Sequence, residues 1–505
     1  MGILPASAAG GPFPDESSIN QVVGAPAAWA AGANGSGVDV ALIDTGVTPV
    51  QGLNGPNKLV YGPDLSFDSQ NPNLTNVDGY GHGTAMAGII AGNDGTPGGY
   101  SGVAPGARVV SVKVGSSTGA ADVSQMVAAI DWVTQHAHDN GMNIRVMNLS
   151  LGTNSTQSYQ LDPLAHAAEV AWRHGIVVVV STGNDGTATN SVADPAIDPY
   201  VLAVGADDTQ GTLATSDDTV ASFSQRGTGS RHADLVAPGT YVYGLLSPNS
   251  LLAQQNPNAI FGGRFLRGSG TSQAAAITSG AVADLLSARP SLTPDQVKTI
   301  LTSTTARIST NNPNFVGSGL LQLPAALAMP TPSWGTQSYY PSTGLGSLEA
   351  ARGNSHVSLG GVALQGEQDI FGQPWGPWIA AAEETGSTWS GGVFNGSTWS
   401  GSTWSGSTWS GSTWSDGSWS GSTWSGSTWS GSTWSGSTWS GSTWSGSTWS
   451  GSTWSGSTWS GSTWSGSTWS GSTWSSCAFQ GATWNGATWN GATWNGATWN
   501  GATWN

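Results

Sequence analysis

Three residues of this sequence could together perform nucleophilic catalysis: an aspartate, a histidine and a serine, in that chain order. They lie in the tripeptides Asp44-Thr45-Gly46, His82-Gly83-Thr84 and Gly270-Thr271-Ser272. A serine hydroxyl becomes a good nucleophile at neutral pH when an imidazole takes its proton and a buried carboxylate holds that imidazole in the right tautomer. The order Asp…His…Ser also differs from that of other serine hydrolases. The three tripeptides therefore predict acyl transfer through an activated serine.

The three candidates lie where a parallel sheet would place functional residues. Asp44 ends an apolar run, His82 lies between two glycines just before a helical stretch, and Ser272 starts the small-residue helical run 273–286. In open α/β sheets, functional residues lie at the carboxyl ends of strands and at helix N-termini. A serine at a helix N-terminus also gains from the helix dipole as negative charge develops on the attacked carbonyl.

The pattern of apolar residues predicts the sheet itself. Apolar runs that fit strands covered on both faces occur at residues 38–43, 108–114, 144–151, 176–180 and 201–204. Between them, helical spacing predicts helices over 122–138 and 162–174, and Thr293 with Gln296 predicts a capping box at the start of another. This alternation predicts an α/β fold, a doubly wound and mainly parallel sheet with flanking helices.

Asn184 is a fourth candidate, at the end of the β-rich run that begins at Val178. A side-chain amide close to a nucleophile can donate a hydrogen bond to the developing oxyanion. Taken singly, each short motif also has an ordinary structural interpretation, such as a strand-end turn, a helix cap or a turn asparagine. Their occurrence together, in order and on suitable elements, favours a catalytic set.

Several short motifs together resemble those of the subtilisin-like serine proteases, the subtilases, over about residues 24–327. They are Asp44-Thr45-Gly46, Gly81-His82-Gly83-Thr84, Gly102-Val103-Ala104-Pro105, Ser150-Leu151-Gly152, Gly183-Asn184, Val236-Ala237-Pro238-Gly239 and Gly270-Thr271-Ser272-Gln273-Ala274-Ala275. The resemblance implies a subtilisin-like fold and a serine endopeptidase that acts on protein or peptide substrates.

The resemblance also implies a role for each matching residue. Asp44 would orient the imidazole, and His82 would act as general base and then general acid. Ser272 would attack the carbonyl and carry the acyl group, while Asn184 and the Ser272 backbone N–H would bind the oxyanion. The segment Ser150-Leu151-Gly152 would line the substrate pockets and pair with the peptide backbone as an added strand.

Two positions depart from the family pattern after the serine. The family usually has methionine directly after it and proline three residues further on, whereas this chain has Gln273 and Ala276. Neither change removes a group that the mechanism needs. No cofactor is required for the chemistry and no metal ligands are predicted. Structural calcium is common in the family, but no calcium loop can be assigned, and Asn93-Asp94-Gly95 is interpreted as a turn.

The overall composition excludes some partners. The formal net charge is −16, with 13 lysines and arginines, which argues against nucleic-acid binding. No apolar run is long enough to predict a transmembrane helix, and the first nine residues lack the features of a clear signal peptide. The single cysteine, Cys477, excludes an internal disulfide framework. We expect a secreted or cell-surface protein, and a monomer.

The chain divides by composition into four parts. We predict an N-terminal extension at 1–23, a subtilisin-like peptidase domain at 24–330, a linker region at 331–386 and a Trp-rich pentapeptide repeat at 387–505. In the repeat, every fifth residue from Trp389 to Trp504 is aromatic, and the two that are not tryptophan are Phe394 and Phe479. A flexible linker would not require this five-residue spacing of aromatic residues to continue through the pentads whose other residues differ.

A coil with four five-residue sides would place every aromatic residue inside, so the repeat predicts a β-solenoid. The unit is similar to that of pentapeptide-repeat β-helix proteins, except that tryptophan replaces their usual leucine or phenylalanine. The alternative is a disordered low-complexity spacer. Exposed tryptophans would favour cell-surface or carbohydrate contact, and buried ones a rigid spacer.

Two functions from different classes fit these features. The first is a serine endopeptidase whose C-terminal repeat serves for anchoring or spacing. The second is a catalytically silent surface or adhesive protein, in which a protease-like domain only binds peptides. The complete nucleophile, base, orienting acid and oxyanion donor favour the first, and the long tryptophan repeat motivates the second.

Overall fold

The computed structural model describes residues 16–376 except 72, 311, 360–361 and 371–373, and further on it describes Cys477 and short strands between Val393 and Trp504. The chain forms two compact units. The first comprises residues 1–68 and 76–367, and the second residues 69–75 and 368–505. None of the described helices is long and apolar enough to cross a membrane.

The helices and strands of the first unit alternate along most of its length. The described α-helices are α1 (Glu16–Val23), α2 (Ala25–Ala30), α3 (His82–Ala91), α4 (Val123–His136), α5 (Pro163–Arg173), α6 (Leu251–Gln255), α7 (Thr271–Ala288), α8 (Pro294–Ser303), α9 (Pro313–Val316), α10 (Leu323–Ala328) and α11 (Leu348–Arg352). The strands are β1 (Asp39–Asp44), β2 (Leu59–Asp64), β3 (Arg108–Lys113), β4 (Ile144–Leu149), β5 (Val177–Ser181), β6 (Leu202–Asp208), β7 (Thr219–Val220), β8 (Leu235–Pro238), β9 (Val242–Leu245), β10 (Ile260–Phe261) and β11 (Phe265–Gly268). A small hairpin, β12 (Ser358–Leu359) with β13 (Val362–Ala363), lies further along the chain.

The central sheet has the strand order β2-β3-β1-β4-β5-β6-β7, with β8 also paired to β6. All of its pairs are parallel except β6 with β7. Strands β1 and β5 are buried along their whole length because helices cover the sheet. Helices α3 and α7 pack together, as do α4 and α5. The predicted doubly wound α/β fold is confirmed.

Local sequence explains where the main helices begin. Asp122 caps α4 and forms a capping box with Gln125, and the predicted box of Thr293 and Gln296 starts α8. Each polar cap satisfies backbone N–H groups that have no partner inside the helix. These helices therefore begin at the positions that their cap residues indicate.

The sequence interpretation did not identify β2 or the antiparallel sheet β10-β11-β9. Strand β2 contains Gly62 and Pro63 and lies at a sheet edge, where a missing backbone donor is tolerated. Strand β10 has two residues and β9 and β11 have four each, too short for a periodic signal. These elements form because neighbouring strands pair with them, not because of their own sequence pattern.

The first compact unit extends beyond the predicted peptidase region. It continues to Glu367, so that much of the predicted linker, 331–386, belongs to it. Arg352 in this segment pairs with Asp122, its Nε lying 2.7 Å from Asp122 Oδ2, and both side chains are fully buried. Leu348 and Ala351 of the same segment are also buried, so apolar packing attaches it to the unit together with this ion pair.

Two buried carboxyl groups face each other at the end of β6. Asp207 and Asp218 are 0% and 1% exposed, and the two carboxyl groups lie within hydrogen-bonding reach of each other. Burial, followed by the nearby Asp218 charge, raises the pKa of Asp207 to about 9. Burial and the neighbouring Asp217 raise the pKa of Asp218 to about 6. The folded protein therefore holds protons here that the unfolded chain releases above about pH 4.

We expect Asp207→Asn to raise the melting temperature, and to raise it more at pH 8 than at pH 5. The folded pKa values lie above the unfolded ones, so folding takes up protons and stability falls as pH rises from about 4 towards 9. An amide cannot ionise and removes this loss. Calorimetry should be done in a Ser272→Ala background, with Asp185→Asn, at an exposed residue outside this pair, as control. A gain that does not depend on pH would contradict this account.

The second unit contains a regular series of short strands. They run from β14 (Val393–Asn395) and β15 (Thr398–Ser400), one every five residues, to β36 (Thr503–Trp504). Each strand pairs in parallel with the fourth strand after it, which produces four separate sheets. In this register, Phe394 lies opposite Trp414 and Phe479 opposite Trp459. The aromatic phase of the sequence is therefore also the phase of strand pairing.

Candidate active site

Asp44 and His82 form a buried hydrogen-bonded pair. His82 Nδ1 lies 2.8 Å from Asp44 Oδ1 and 2.9 Å from Oδ2, and the side chains are 3% and 0% exposed. Asp44 ends β1, and His82 is the first residue of α3. Because the Nδ1 position is held by the carboxylate, Nε2 is left to exchange a proton with a substrate or nucleophile.

The close approach of α3 to the end of β1 requires a glycine. A Cβ atom at Gly83 would lie 2.1 Å from the carbonyl oxygen of Gly46 and 3.2 Å from Asp44 Oδ1. Any larger residue would push the helix away from the strand end. The glycine after the histidine thus allows the imidazole to reach the carboxylate.

Asp78, which the sequence interpretation missed, fixes the start of α3. Its carboxylate accepts hydrogen bonds from Gly81 N at 2.6 Å, Thr84 N at 2.7 Å and Thr45 Oγ1 at 2.8 Å. Burial raises its pKa, against the hydrogen bonds from Thr84, Gly81 and Thr45, which lower it. The available signal was an aspartate four residues before the histidine, in the place of a helix-start acid.

Ser272 lies in the first turn of α7 and is 8% exposed. Its hydroxyl donates to the carbonyl oxygen of Ser150 at 3.1 Å, and the Ser150 hydroxyl donates to the carbonyl oxygen of Ser272 at 3.1 Å. None of the hydrogen bonds of the described residues joins Ser272 to His82. Catalytic hydrogen bonds are often formed only when substrate is bound, so this geometry is compatible with a rotation of the hydroxyl towards the imidazole.

Asn184 is held by the residue before the serine. Asn184 Oδ1 accepts from Thr271 N at 2.9 Å and from Thr271 Oγ1 at 3.0 Å. The Thr271 hydroxyl also accepts from Gly183 N at 3.2 Å. Since Oδ1 is occupied, the amide nitrogen is left to donate, as the predicted oxyanion role requires.

The predicted substrate segment follows β4. Leu151 and Gly152 have no backbone hydrogen-bond partner among the described residues, whereas Thr153 exchanges backbone hydrogen bonds with Asp194. A Cβ atom at Gly152 would lie 2.5 Å from the Asp194 carbonyl oxygen. The segment therefore has unpaired backbone groups of the kind that accept an added strand.

A single pocket of about 210 Å³ joins these parts. Its lining includes His82, Ser150, Leu151, Gly152, Asn184 and Ser272. Asp44 lies behind His82, fully buried. The structure thus brings all seven predicted site residues together, six of them on one cleft and Asp44 behind it.

The side chains at the turn Asn93-Asp94-Gly95 bind groups of the protein itself. Asp94 pairs with Arg264, whose Nη1 lies 2.8 Å from Asp94 Oδ2, and this hydrogen bond lowers the pKa of Asp94. The Asn93 side chain accepts from Gly95 N. Within the described residues, no group of three or more His, Cys, Asp or Glu side chains has a metal-binding arrangement.

We expect Asn184→Ala to lower kcat by about 10²–10³-fold with little change in KM. The amide would act on the charge that develops in the transition state, and loss of one such donor has this effect in serine proteases. Steady-state kinetics on a peptide substrate measure both constants. Asn190→Ala, at an exposed residue of the same loop, is the control. A rise in KM with kcat unchanged would instead assign Asn184 to substrate binding.

Fold and cleft together define a hydrolase of the Asp–His–Ser order on a parallel α/β sheet. The subtilase family model matches residues 35–319. The chain belongs to the subtilase family of serine endopeptidases.

Individual relatives share this part of the chain. Serine protease AprX of Bacillus subtilis (strain 168) is 37% identical over 292 residues, covering 56% of this chain and 65% of AprX. Subtilisin DY of Bacillus licheniformis is 34% identical over 299 residues, covering 59% of this chain and 93% of that protein. Fervidolysin from Fervidobacterium pennivorans, a keratinolytic enzyme related to subtilisin, matches in structure with a TM-score of 0.51 at 30% identity, covering 62% of this chain and 46% of fervidolysin.

Proposed function

We propose that this chain hydrolyses peptide bonds within protein or peptide substrates through an acyl-enzyme on Ser272. The observation that carries the proposal is the buried Asp44–His82 pair on the same cleft as Ser272. Family membership supports the reaction class, and the geometry supports the assignment of each residue.

In the proposed first step, the substrate strand lies against Leu151 and Gly152. Ser272 Oγ attacks the carbonyl carbon and transfers its proton to His82 Nε2. The negative charge on the carbonyl oxygen is stabilised by the Asn184 amide and the Ser272 backbone N–H at the start of α7. Asp44 stabilises the imidazolium that forms.

In the second step, His82 gives the proton to the leaving amine, which departs and leaves the acyl group on Ser272. A water molecule then attacks the ester carbonyl carbon and gives a proton to His82. The bond from that carbon to Ser272 Oγ breaks, His82 returns the proton to Oγ, and the carboxylic acid product leaves. Asp44 keeps the imidazole in the tautomer that can accept at Nε2. His82 therefore carries out every proton transfer, and no cofactor is needed for these steps.

The test is to label the purified chain with a fluorophosphonate and to digest a peptide library with it. We expect one adduct per chain, located on Ser272 by mass spectrometry, and cleavage within peptides rather than at their ends. A chain that neither labels nor cleaves would support the alternative, a silent surface or adhesive protein that only binds peptides.

For the C-terminal repeat, 387–505, we propose a parallel β-solenoid similar to pentapeptide-repeat proteins that serves for anchoring or spacing. The pairing of each short strand with the fourth strand after it, twenty residues further on, supports a coil of four pentads. Cys477 is buried, in agreement with an inward place in its pentad. The tryptophans would then form columns along the coil, and any exposed ones would suit carbohydrate or cell-surface contact.

Removing residues 387–505 tests this part separately. We expect unchanged turnover of short peptides and loss of retention on cells or on insoluble polysaccharide. The separate repeat should give a strand-type circular dichroism spectrum and cooperative melting, whereas a disordered spacer should give neither. We also propose that the protein is secreted or held at the cell surface and acts as a monomer, which cell fractionation and light scattering would check.

A further inference from the structure

A segment outside the family match borders the cleft. We name residues 342–357 the C-terminal strap; it lies beyond residue 319, where the family model ends. Ser355 of this strap lines the same pocket as Ser272, Gly152 and Asn154. Part of the substrate pocket is therefore built by a segment that the family core does not contain.

The strap is anchored to the catalytic fold by a buried ion pair. Arg352 Nε lies 2.7 Å from Asp122 Oδ2, and Arg352 Nη1 donates to the Gly366 carbonyl oxygen at 2.7 Å. Both charged side chains are 0% exposed. Asp122 is the N-cap of α4, so the strap is attached to the start of a helix that packs on the sheet. Separating the strap from α4 would leave an uncompensated buried charge. Because this costs free energy, the ion pair holds the strap in place.

A second set of bonds joins the strap to the loop that continues from the substrate segment. Thr153 Oγ1 donates to the carbonyl oxygen of Ala351, and Thr156 N donates to that of Ala350 at 3.3 Å. The Gln157 amide bonds both backbone groups of Ser347, donating to its oxygen at 2.7 Å and accepting from its nitrogen at 3.0 Å. The strap and the pocket-lining loop are thus bonded to each other at three successive places.

The backbone approach next to Ser355 is close. Gly353 has a φ of 57°, and a Cβ atom there would lie 2.2 Å from the carbonyl oxygen of Asn154. Ser355 follows two residues later, and its N–H donates to the Arg352 carbonyl oxygen at 2.9 Å. The turn therefore directs the chain from its anchor to the pocket edge within three residues.

We propose that Ser355 is a specificity-determining residue, whose small side chain keeps one edge of the pocket open to large substrate side chains, and that Arg352 is its positioning residue. The proposal rests on the proposed endopeptidase function. The pocket, at about 210 Å³, is smaller than the roughly 300–1,000 Å³ of sites that hold whole small molecules, so it suits one side chain of a peptide. The substrate class is a peptide with a large side chain beside the scissile bond.

The main test is Ser355→Trp, assayed on peptides that differ only in the side chain entering the pocket. We expect kcat/KM to fall about tenfold or more for phenylalanine or leucine and to change little for alanine, since steric pocket contacts have effects of about 10–200-fold. Fluorophosphonate labelling of Ser272 should keep its rate. The same substitution at Ser358, an exposed residue of the neighbouring hairpin, is the matched control and should leave the profile unchanged.

Arg352 variants test the positioning role. Arg352→Met should weaken the preference for large side chains by raising KM more than it lowers kcat, and Arg352→Lys should restore part of it. A structural role alone would lower the amount of active protein, measured by Ser272 labelling, without altering the profile of the labelled fraction. If Arg352→Met does not fold, Arg352→Lys and Ser355→Trp still decide the question.

A Ser355→Trp protein that labels normally and keeps the wild-type profile would overturn the proposal while leaving the proposed function intact. Wild-type protein that neither labels nor cleaves would overturn the proposed function and this proposal with it. The two failures are therefore distinguishable by the labelling experiment alone.

Discussion

Ser272→Ala is expected to lower kcat by about 10⁶-fold, because removing the nucleophile of a Ser-His-Asp triad removes the covalent route. The alanine methyl group cannot attack a carbonyl, and His82 then has no hydroxyl to deprotonate. Some rate enhancement over water should remain, since the oxyanion donors and the substrate cleft are left in place. Hydrolysis of casein and of a fluorogenic peptide measures the loss, and fluorophosphonate labelling should disappear.

The control for this experiment is Ser287→Ala on the same helix. Ser287 lies near the other end of α7, where its hydroxyl donates to the Asp284 carbonyl oxygen. The Ser287→Ala protein should be labelled by the fluorophosphonate and should cleave both substrates at the wild-type rate. Full activity in Ser272→Ala would show that another residue is the nucleophile, and loss of activity in both variants would indicate damage to α7 rather than to the chemistry.

Asp44→Asn is expected to lower kcat by about 10⁴-fold at neutral pH while the fold stays intact. In the same exchange in a Ser-His-Asp triad, the geometry is kept but the imidazole takes the wrong tautomer. The structure explains why this holds here: Asp44 accepts from His82 Nδ1 and also from Thr45 N at 2.8 Å. An asparagine can turn its NH₂ group towards the histidine, which then presents a proton at Nε2 instead of a lone pair.

Asp39→Asn is the matched control, because Asp39 lies at the other end of the same strand. Its carboxylate binds Arg108 Nε at 2.7 Å and Asn143 N at 2.7 Å, on the side away from His82. We expect a loss of stability with unchanged kcat/KM for this variant. If Asp39→Asn and Asp44→Asn lower kcat/KM equally, the loss results from disruption of strand β1 and not from a change in the catalytic triad.

The sequence identified the fold class and the residues around the cleft because both depend on local patterns. Strand β1 was visible as an apolar run that ends in Asp44, and α8 was visible through its capping box. Asp44 ends this apolar strand, and His82 and Ser272 lie in the first turns of α3 and α7. Their tripeptides are also short enough to be recognised without knowing how the chain folds between them.

The supporting residues were not predictable in the same way, because their partners are distant in sequence. Thr45, 33 positions earlier, completes the contacts of Asp78, and Thr271 orients Asn184 across 87 positions of chain. The Arg352–Asp122 pair joins residues 230 positions apart. From the sequence alone, each of these residues would be assigned an ordinary surface position. Only the folded structure shows which distant residue it contacts.

The pairing of strands in the repeat determines how its length can change. Each strand pairs with the fourth after it, as Trp414 pairs with Trp434. In the proposed solenoid, inserting one pentad would move every later strand to the next of the four sheets, so the end of the chain would point a quarter-turn away. Inserting four pentads would lengthen the stack by one layer, about 4.8 Å, and leave its direction unchanged. In the proposed solenoid, the number of pentads would therefore determine both the length of the repeat and the direction of its last strands.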